Sequence, residues 1–538
     1  MMKKVWLLSG ILMISLLAVC LNFDSSEATD VDGITYEFNS ETGELKISGN
    51  GDMLDYDFSK RPGWETSEIK DGTLKLTIDS GITSIGSYAF KDYSKLETIS
   101  LSDTVTSIKD GAFQTCAALK TVNLDSVTSI GFKAFSDCNK LTSITFGDKL
   151  TSIGENAFQT CTALETVNFG NSVKSTGAGA FYECKALKNV DFGNITTIDN
   201  RSFGGCIALE SLDLKNVTVI GENAFQTCTA LETVNFGDSM KHIGKGAFYE
   251  CEALKNVDFG NTTMIDEQSF MECTALESLD LKNVTIVGSK AFRGCKSLKT
   301  VTTGGEIEMR QSAFMTCENL QSVDLKGPTV VGASVFEGCK SLSSITFEQI
   351  TEMSNFTFLG CKALKTAYIN TEQVGSQAFG LCESLESVTF GNDNIKIQMW
   401  AFNKCEMLKS VTFGEGLQEI SKGAFQDTAL ETVTIGDSVT LIGENAFKCG
   451  NLKKIIIGNV KATIDAQAFG AKLCDVDGTE LIKTGESTLD TEKVKKSIFV
   501  KNEENVFVKH IAYAVTIEGE GVSVKNGDIA IKPKFCVC

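Results

Sequence analysis

Fourteen cysteines stand three residues after a phenylalanine in consecutive segments: Cys116, Cys138, Cys161, Cys184, Cys206, Cys228, Cys251, Cys273, Cys295, Cys317, Cys339, Cys361, Cys382 and Cys405. Thiols in so regular a pattern could ligate metal, form disulfides, attack as thiolates or fill a core. A zinc site needs four donors converging at about 2.3 Å from the ion. A linear ladder offers each thiol only two flanking thiols, and the chain has two histidines, His242 and His510. A nucleophile needs one thiol set apart beside a base, and fourteen equivalent positions provide no such distinction. If the segments stack as parallel rungs, neighbouring Cβ atoms lie about 5 Å apart, beyond the ~3.5–4.5 Å that a disulfide needs. Packing is the reading that remains, because free cysteine is among the most buried residue types. No catalytic residue, cofactor or metal ligand is assigned. Cys449, Cys474, Cys536 and Cys538 fall outside the register and are where a disulfide would be sought.

A second periodic set is polar. Thr166 and Asn168, Asn189 and Asp191, Ser211 and Asp213, Thr233 and Asn235, Asn256 and Asp258, and Ser278 and Asp280 flank one apolar residue each, and Asp324 continues the series. Alternation of this kind puts the polar pair on the outer face of a strand, a candidate partner-binding stripe with an acidic character. The plainer reading is soluble strand-edge residues multiplied by duplication. Lys215, Lys282 and Lys326 follow closely on aspartates of the stripe and weaken its field. Glu and Lys alternating one residue after the repeat leucine, as at Glu165 and Lys188, are expected to lace neighbouring rungs.

The elements that must position these residues follow from the period. A phenylalanine preceded by a small residue returns eighteen times between Phe90 and Phe469, at intervals of 21 to 23 residues. Intervals in the twenties indicate leucine-rich repeats. In "ENAFQTCTALETVNFG", which runs from Glu155 to Gly170 and recurs unchanged from Glu222, the alternation in "ETVNF" predicts a strand with one buried face. "LTSIG" before it predicts a second short strand, and "ENAFQTCTAL" is read as one or two helical turns. Phe158, Cys161, Leu164, Val167 and Phe169, with Phe225, Cys228 and Leu231 in the copy, are the expected core. One rung cannot bury these side chains alone, so stacking must do it. The expected fold is a β-rich α/β solenoid, a right-handed superhelix of about 18 rungs with short strands and short helical turns. Residues 155–194 match 222–261 at 34 of 40 positions, the trace of a three-rung block copied whole.

The 538 residues carry 69 acidic and 50 basic side chains, a formal charge of -19 that disfavours nucleic acid and anionic membranes as partners. "MMKKVWLLSGILMISLLAVC" has the charge-then-hydrophobe order of an export signal, with cleavage expected after Ala28. "LLAVC" offers lipidation of Cys20 as the competing anchor, although Val19 departs from the small residue expected there. No transmembrane span is expected in the mature chain. The divisions are then a signal peptide at 1–28, a β-rich cap at 29–72, the solenoid at 73–470 and a small β module at 471–538 whose turn is placed at Asn526-Gly527. Six glycosylation sequons, at Asn194, Asn200, Asn216, Asn261, Asn283 and Asn355, fit chance repetition.

The unit V-T-S-I-G-x-x-A-F-x-x-C-x-x-L-x-x-V-x-F resembles the repeat of the BspA-type leucine-rich-repeat surface proteins. The stretch "GELKISGNGDMLDY...PGW...LKLTIDSGITSIGSYAF" is similar to their N-terminal lead-in, so the likeness spans roughly residues 33 to 470. It implies an extracellular, secreted or cell-surface protein engaged in adhesion to host or microbial proteins or glycans. The family has no shared catalytic residues to carry over, and no LPxTG wall-anchoring sequence is present. The reading is an exported binding protein with an extracellular protein or glycan ligand. Its rival is a structural spacer of the cell envelope whose contacts are mostly with itself.

Overall fold

The computed structural model describes residues 28–29, 33–391, 394–483, 485–510, 513–518 and 521–526. The export segment, Cys20, Cys536 and Cys538 lie outside the described residues. The chain divides into two compact units, Met1–Met240 and Lys241–Cys538.

The first unit opens with the hairpin expected around Asn39. Strands Thr35–Asn39 and Glu44–Ser48 pair antiparallel, and the Asn39 side chain accepts the amides of Glu41 and Thr42 to close the turn. Glu44–Ser48 then pairs in parallel with Lys75–Ile78, which passes the sheet on to the rungs. Each rung contributes two short strands in one-rung register with its neighbours. On one side Ser143–Thr145, Thr166–Asn168 and Asn189–Asp191 run parallel. On another, Ser107–Ile108, Ser129–Ile130 and Ser152–Ile153 do the same. The second unit repeats the scheme, as in Ser278–Leu281, Thr300–Thr303 and Ser322–Asp324.

The third side departs from expectation. The segments read as helical turns contain no helix; they form a ladder of turns. From Phe90 to Phe425, residues two before and two after each rung phenylalanine take positive φ, such as Asn156 (57°), Thr160 (56°), Glu272 (60°) and Lys290 (59°), which a right-handed helix cannot accommodate. The amides of Asn156, Phe158 and Thr160 donate to the carbonyls of Ala178, Ala180 and Tyr182 in the next rung, each at 2.8 Å. Alternate N–H groups are thus spent between rungs rather than on an i→i−4 bond, so all three sides hold rung to rung. Ser67–Gly72 and Thr491–Val494 are the α-helices among the described residues.

The core of each unit is a column of stacked rings. Phe113, Phe135, Phe158 and Phe181 follow one another at 5.2–5.4 Å with planes within 17°, and Phe402, Phe425 and Phe447 stack likewise in the second unit. Phe158, Cys161, Leu164, Val167, Phe169, Phe225, Cys228 and Leu231 are all buried. Each such phenylalanine contributes about 1.5–3 kcal/mol by burial. The cap ends the column with Trp64, stacked on Phe90 at 5.7 Å, its indole N–H donating to the Ala89 carbonyl. In the second unit, Ser497–Lys501 pairs antiparallel with the rung strand Lys454–Ile457 and with Phe507–His510, closing that sheet edge. Tyr513–Glu518 and Gly521–Asn526 pair antiparallel, and the turn expected at Asn526-Gly527 falls at the edge of the described residues, with Gly527 outside them.

Candidate interaction surface

Cys161 Sγ donates to the carbonyl of Phe135, one rung back, at 3.2 Å, and Cys184, Cys228, Cys295 and Cys317 bond the equivalent carbonyls at 3.2–3.3 Å. Every described cysteine is free and buried. Burial pushes the Cys161 and Cys228 thiols up to about 12, against the opposing pull of backbone hydrogen bonds. A thiol held protonated at neutral pH is a poor nucleophile and a poor metal ligand.

Two off-register cysteines change place. Cys449 stands two residues after Phe447, yet its thiol donates to the Phe425 carbonyl at 3.2 Å and so occupies the ladder. The Thr428 hydroxyl beside it takes the cysteine position of the rung before and bonds the same carbonyl at 2.9 Å. Cys474 is also free, so the disulfide sought off-register is absent among the described cysteines.

In the first unit Thr166, Asn168, Asn189, Asp191, Ser211, Asp213, Thr233 and Asn235 are exposed; in the second, Asn256, Asp258, Ser278 and Asp280 are exposed and Asp324 is half-buried. Parallel pairing sets them in register: Thr166 beside Asn189, Asn168 beside Asp191, Asp213 beside Asn235. Part of the stripe has a structural duty that alternation does not disclose. The side-chain oxygens of Asn168, Asp191, Asn235 and Asp258 each accept the amide two residues on, at Gly170, Gly193, Gly237 and Gly260, at 3.0–3.1 Å. These Asx turns end the strand. Lys215 lies 3.5 Å from Asp213 and Lys326 2.6 Å from Asp324, which dilutes the acidic field as expected. Lys120–Glu97, Lys299–Glu277 and Lys453–Glu431 lace neighbouring rungs, at about 0.2–1 kcal/mol each.

The sequon asparagines are used within the fold. Asn194, Asn216 and Asn283 donate their side-chain amides to backbone carbonyls of the rung before, and Asn200 and Asn355 accept the amides of Glu222 and Ser376. Among the described residues no group of three or more His, Cys, Asp or Glu is placed to hold a metal, and no helix is long and apolar enough to cross a membrane. Sequence reading also missed a cleft between the cap and the first rungs, lined by Phe58, Tyr88, Lys91, Phe132 and Lys133. These residues share no spacing that could have announced it.

Two sides of short parallel strands, a third of turns, and a buried Phe-Cys-Leu set per rung define a leucine-rich-repeat β-solenoid. The chain belongs to the BspA type leucine rich repeat region family, six copies of which match over residues 72–188, 122–219, 196–321, 263–382 and 372–487. It is similar in structure to a leucine-rich repeat protein from Bacteroides ovatus, with 27% identity over 67% of this chain and 94% of the other and a TM-score of 0.49. A leucine rich cell surface protein from Faecalibacterium prausnitzii matches at 23% identity over 72% and 95%, with a TM-score of 0.30. The pneumococcal vaccine antigen PcpA matches at 15% over 78% and 93%, with a TM-score of 0.28. No curated protein aligns with the chain.

Proposed function

We propose that this protein is an exported binding scaffold, a secreted or cell-surface adhesin whose outer strand face meets a protein or glycan ligand. The observation that carries the reading is the stripe itself: polar side chains from successive rungs, exposed and held in register by parallel pairing. A rigid, repeated array of donors and acceptors suits recognition of an extended ligand, because little side-chain or backbone order is lost on binding. The BspA-type repeat is the further support, and the buried, protonated thiols give no reason to prefer chemistry over binding.

The test is a screen of the full chain against matrix proteins and glycans beside a stripe variant carrying Asp191→Asn, Asp213→Asn, Asp258→Asn and Asp280→Asn. Asparagine keeps the acceptor oxygen that closes the Asx turns while removing charge, so folding is spared. A saturable ligand whose affinity falls about tenfold or more in the variant is the expected result. Unchanged affinity in the variant removes the acidic stripe from the site. No ligand at all, together with self-assembly, overturns the adhesin reading in favour of a spacer.

A further inference from the structure

The cleft under the N-terminal cap has a chemistry unlike the strand stripe. It encloses about 360 Å³ between the loop that carries Phe58 and the turn ladder of the first three rungs. Phe58 is 86% exposed, a costly position for a phenylalanine in a chain that buries its rung phenylalanines fully. Lys91 Nζ lies between two aromatic faces, 5.3 Å from the centroid of Phe58 and 5.5 Å from that of Tyr88, and the Arg61 guanidinium lies 5.6 Å from the Phe58 centroid. Lys133 Nζ lies 5.1 Å over Phe132, itself 37% exposed. Gly111 seats the Tyr88 ring, since a Cβ there would come within 2.4 Å of it.

The charges around the cleft are unevenly spent. Glu65 is taken by Arg61 at 2.6 Å and Lys70 at 3.1 Å. Asp57 accepts the amides of Ser59 and Lys60 and the Ser59 hydroxyl. Lys91 and Lys133, by contrast, form no ion pair with any described residue; the rings are their neighbours. The cleft therefore offers exposed ring faces and two ammonium groups without acidic partners.

From this geometry we infer that the cap cleft binds an acidic glycan, with a sugar ring stacked on Phe58 and a carboxylate or sulfate held by Lys91 and Lys133. The inference rests on the adhesin reading and names a ligand class for a second surface. A pyranose presents C–H groups on a flat face, which pack against the negative face of an aromatic ring. Lysine binds an anion as a point charge and demands no bidentate geometry, so carboxylate and sulfate both fit. An acidic peptide matches less well: extended peptides draw on main-chain pairing at a strand edge, and the residues facing this cleft offer it side chains. The formal charge of -19 does not forbid an anion here, because at physiological salt fields between exposed groups are screened beyond about 8 Å.

The experiment titrates the full chain by calorimetry with four probes: a hyaluronan hexasaccharide (carboxylates alone), a chondroitin sulfate hexasaccharide (carboxylates and sulfates), cellohexaose and hexaglutamate. The expected result is binding of one or both acidic sugars at least about tenfold tighter than of cellohexaose or hexaglutamate. Their affinity falls by about tenfold or more in Phe58→Ala and in Lys91→Gln, with the thermal midpoint unchanged, and survives in the stripe variant. The inference is overturned if acidic sugars bind no better than cellohexaose, if hexaglutamate binds as tightly, or if both cleft variants bind like the parent. Should these probes fail while a ligand from the wider screen still depends on the stripe, the cleft falls and the adhesin reading stands.

Discussion

Each ladder cysteine does two jobs at once: it fills a small apolar space and gives its proton to a carbonyl of the previous rung. The acceptor of Cys161 is Phe135, 26 residues away, so packing was legible from the repeat while the hydrogen bond was not. Thr428 differs: its hydroxyl stands at the thiol position but donates to the Phe425 carbonyl of its own rung, and the Cys449 thiol reaches that same carbonyl from the next rung. Burial also protects so many free thiols, since oxidation requires an accessible thiolate. A pH dependence follows. The thiol of Cys161 titrates at 9.0 when unburied and at about 12 in the fold, so the unfolded chain loses protons first. Stability from these thiols is fully present below pH 9, declines as pH rises from 9 towards 12, and the decline is shared by many rungs. Urea unfolding of reduced protein at pH 8 and at pH 10.5 should show a clear loss at the higher value. An unchanged midpoint would mean the thiols are not buried as described.

At the scale of the element, the turn ladder is where hydrophobic spacing misled. "ENAFQTCTAL" has a helix-like apolar spacing, but the decisive letters are those two places either side of the phenylalanine. Glycine or asparagine recurs before it, at Gly111, Asn156, Gly179, Asn223 and Gly246, and glycine after it, at Gly205, Gly294, Gly338 and Gly360. These residues tolerate left-handed backbone, and each has positive φ here. Lys290, at φ 59°, holds the same conformation without such tolerance. Lys290→Gly is expected to stabilise by about 0.5 kcal/mol, the relief of strain being partly offset by a more flexible unfolded chain, and Lys290→Val to destabilise by about 1–2 kcal/mol. Chemical denaturation of the three forms measures the order, and a valine variant as stable as the parent would contradict the left-handed backbone.

For the molecule as a whole, stability is a sum of rungs and the interfaces between neighbours, which makes the ends decisive. Trp64 closes the first unit by stacking on Phe90, while Tyr93, at the position later given to cysteine, donates its hydroxyl to the Trp64 carbonyl. Trp64→Ala should cost about 3–5 kcal/mol. The loss should be local, with hydrogen exchange rising first in Ile82–Ile85 and around Phe90 and last around Phe181. Uniform acceleration through the first unit would show one cooperative block instead of coupled rungs. Net charge acts at this same scale: the formal charge of -19 disfavours anionic polymers at long range, while lysines of the cleft act locally.

The period, the buried letters of each rung, the two strands and the BspA-type family were all determined by the sequence alone, because a pattern repeated eighteen times states its local rule openly. Tertiary structure alone decided the thiol donors, the rung-to-rung bonds of the turn ladder and the cap cleft. The reason is distance along the chain. A hydrogen bond from one rung to another, or a cleft joining Phe58 to Lys133, exists only after stacking brings separated residues together.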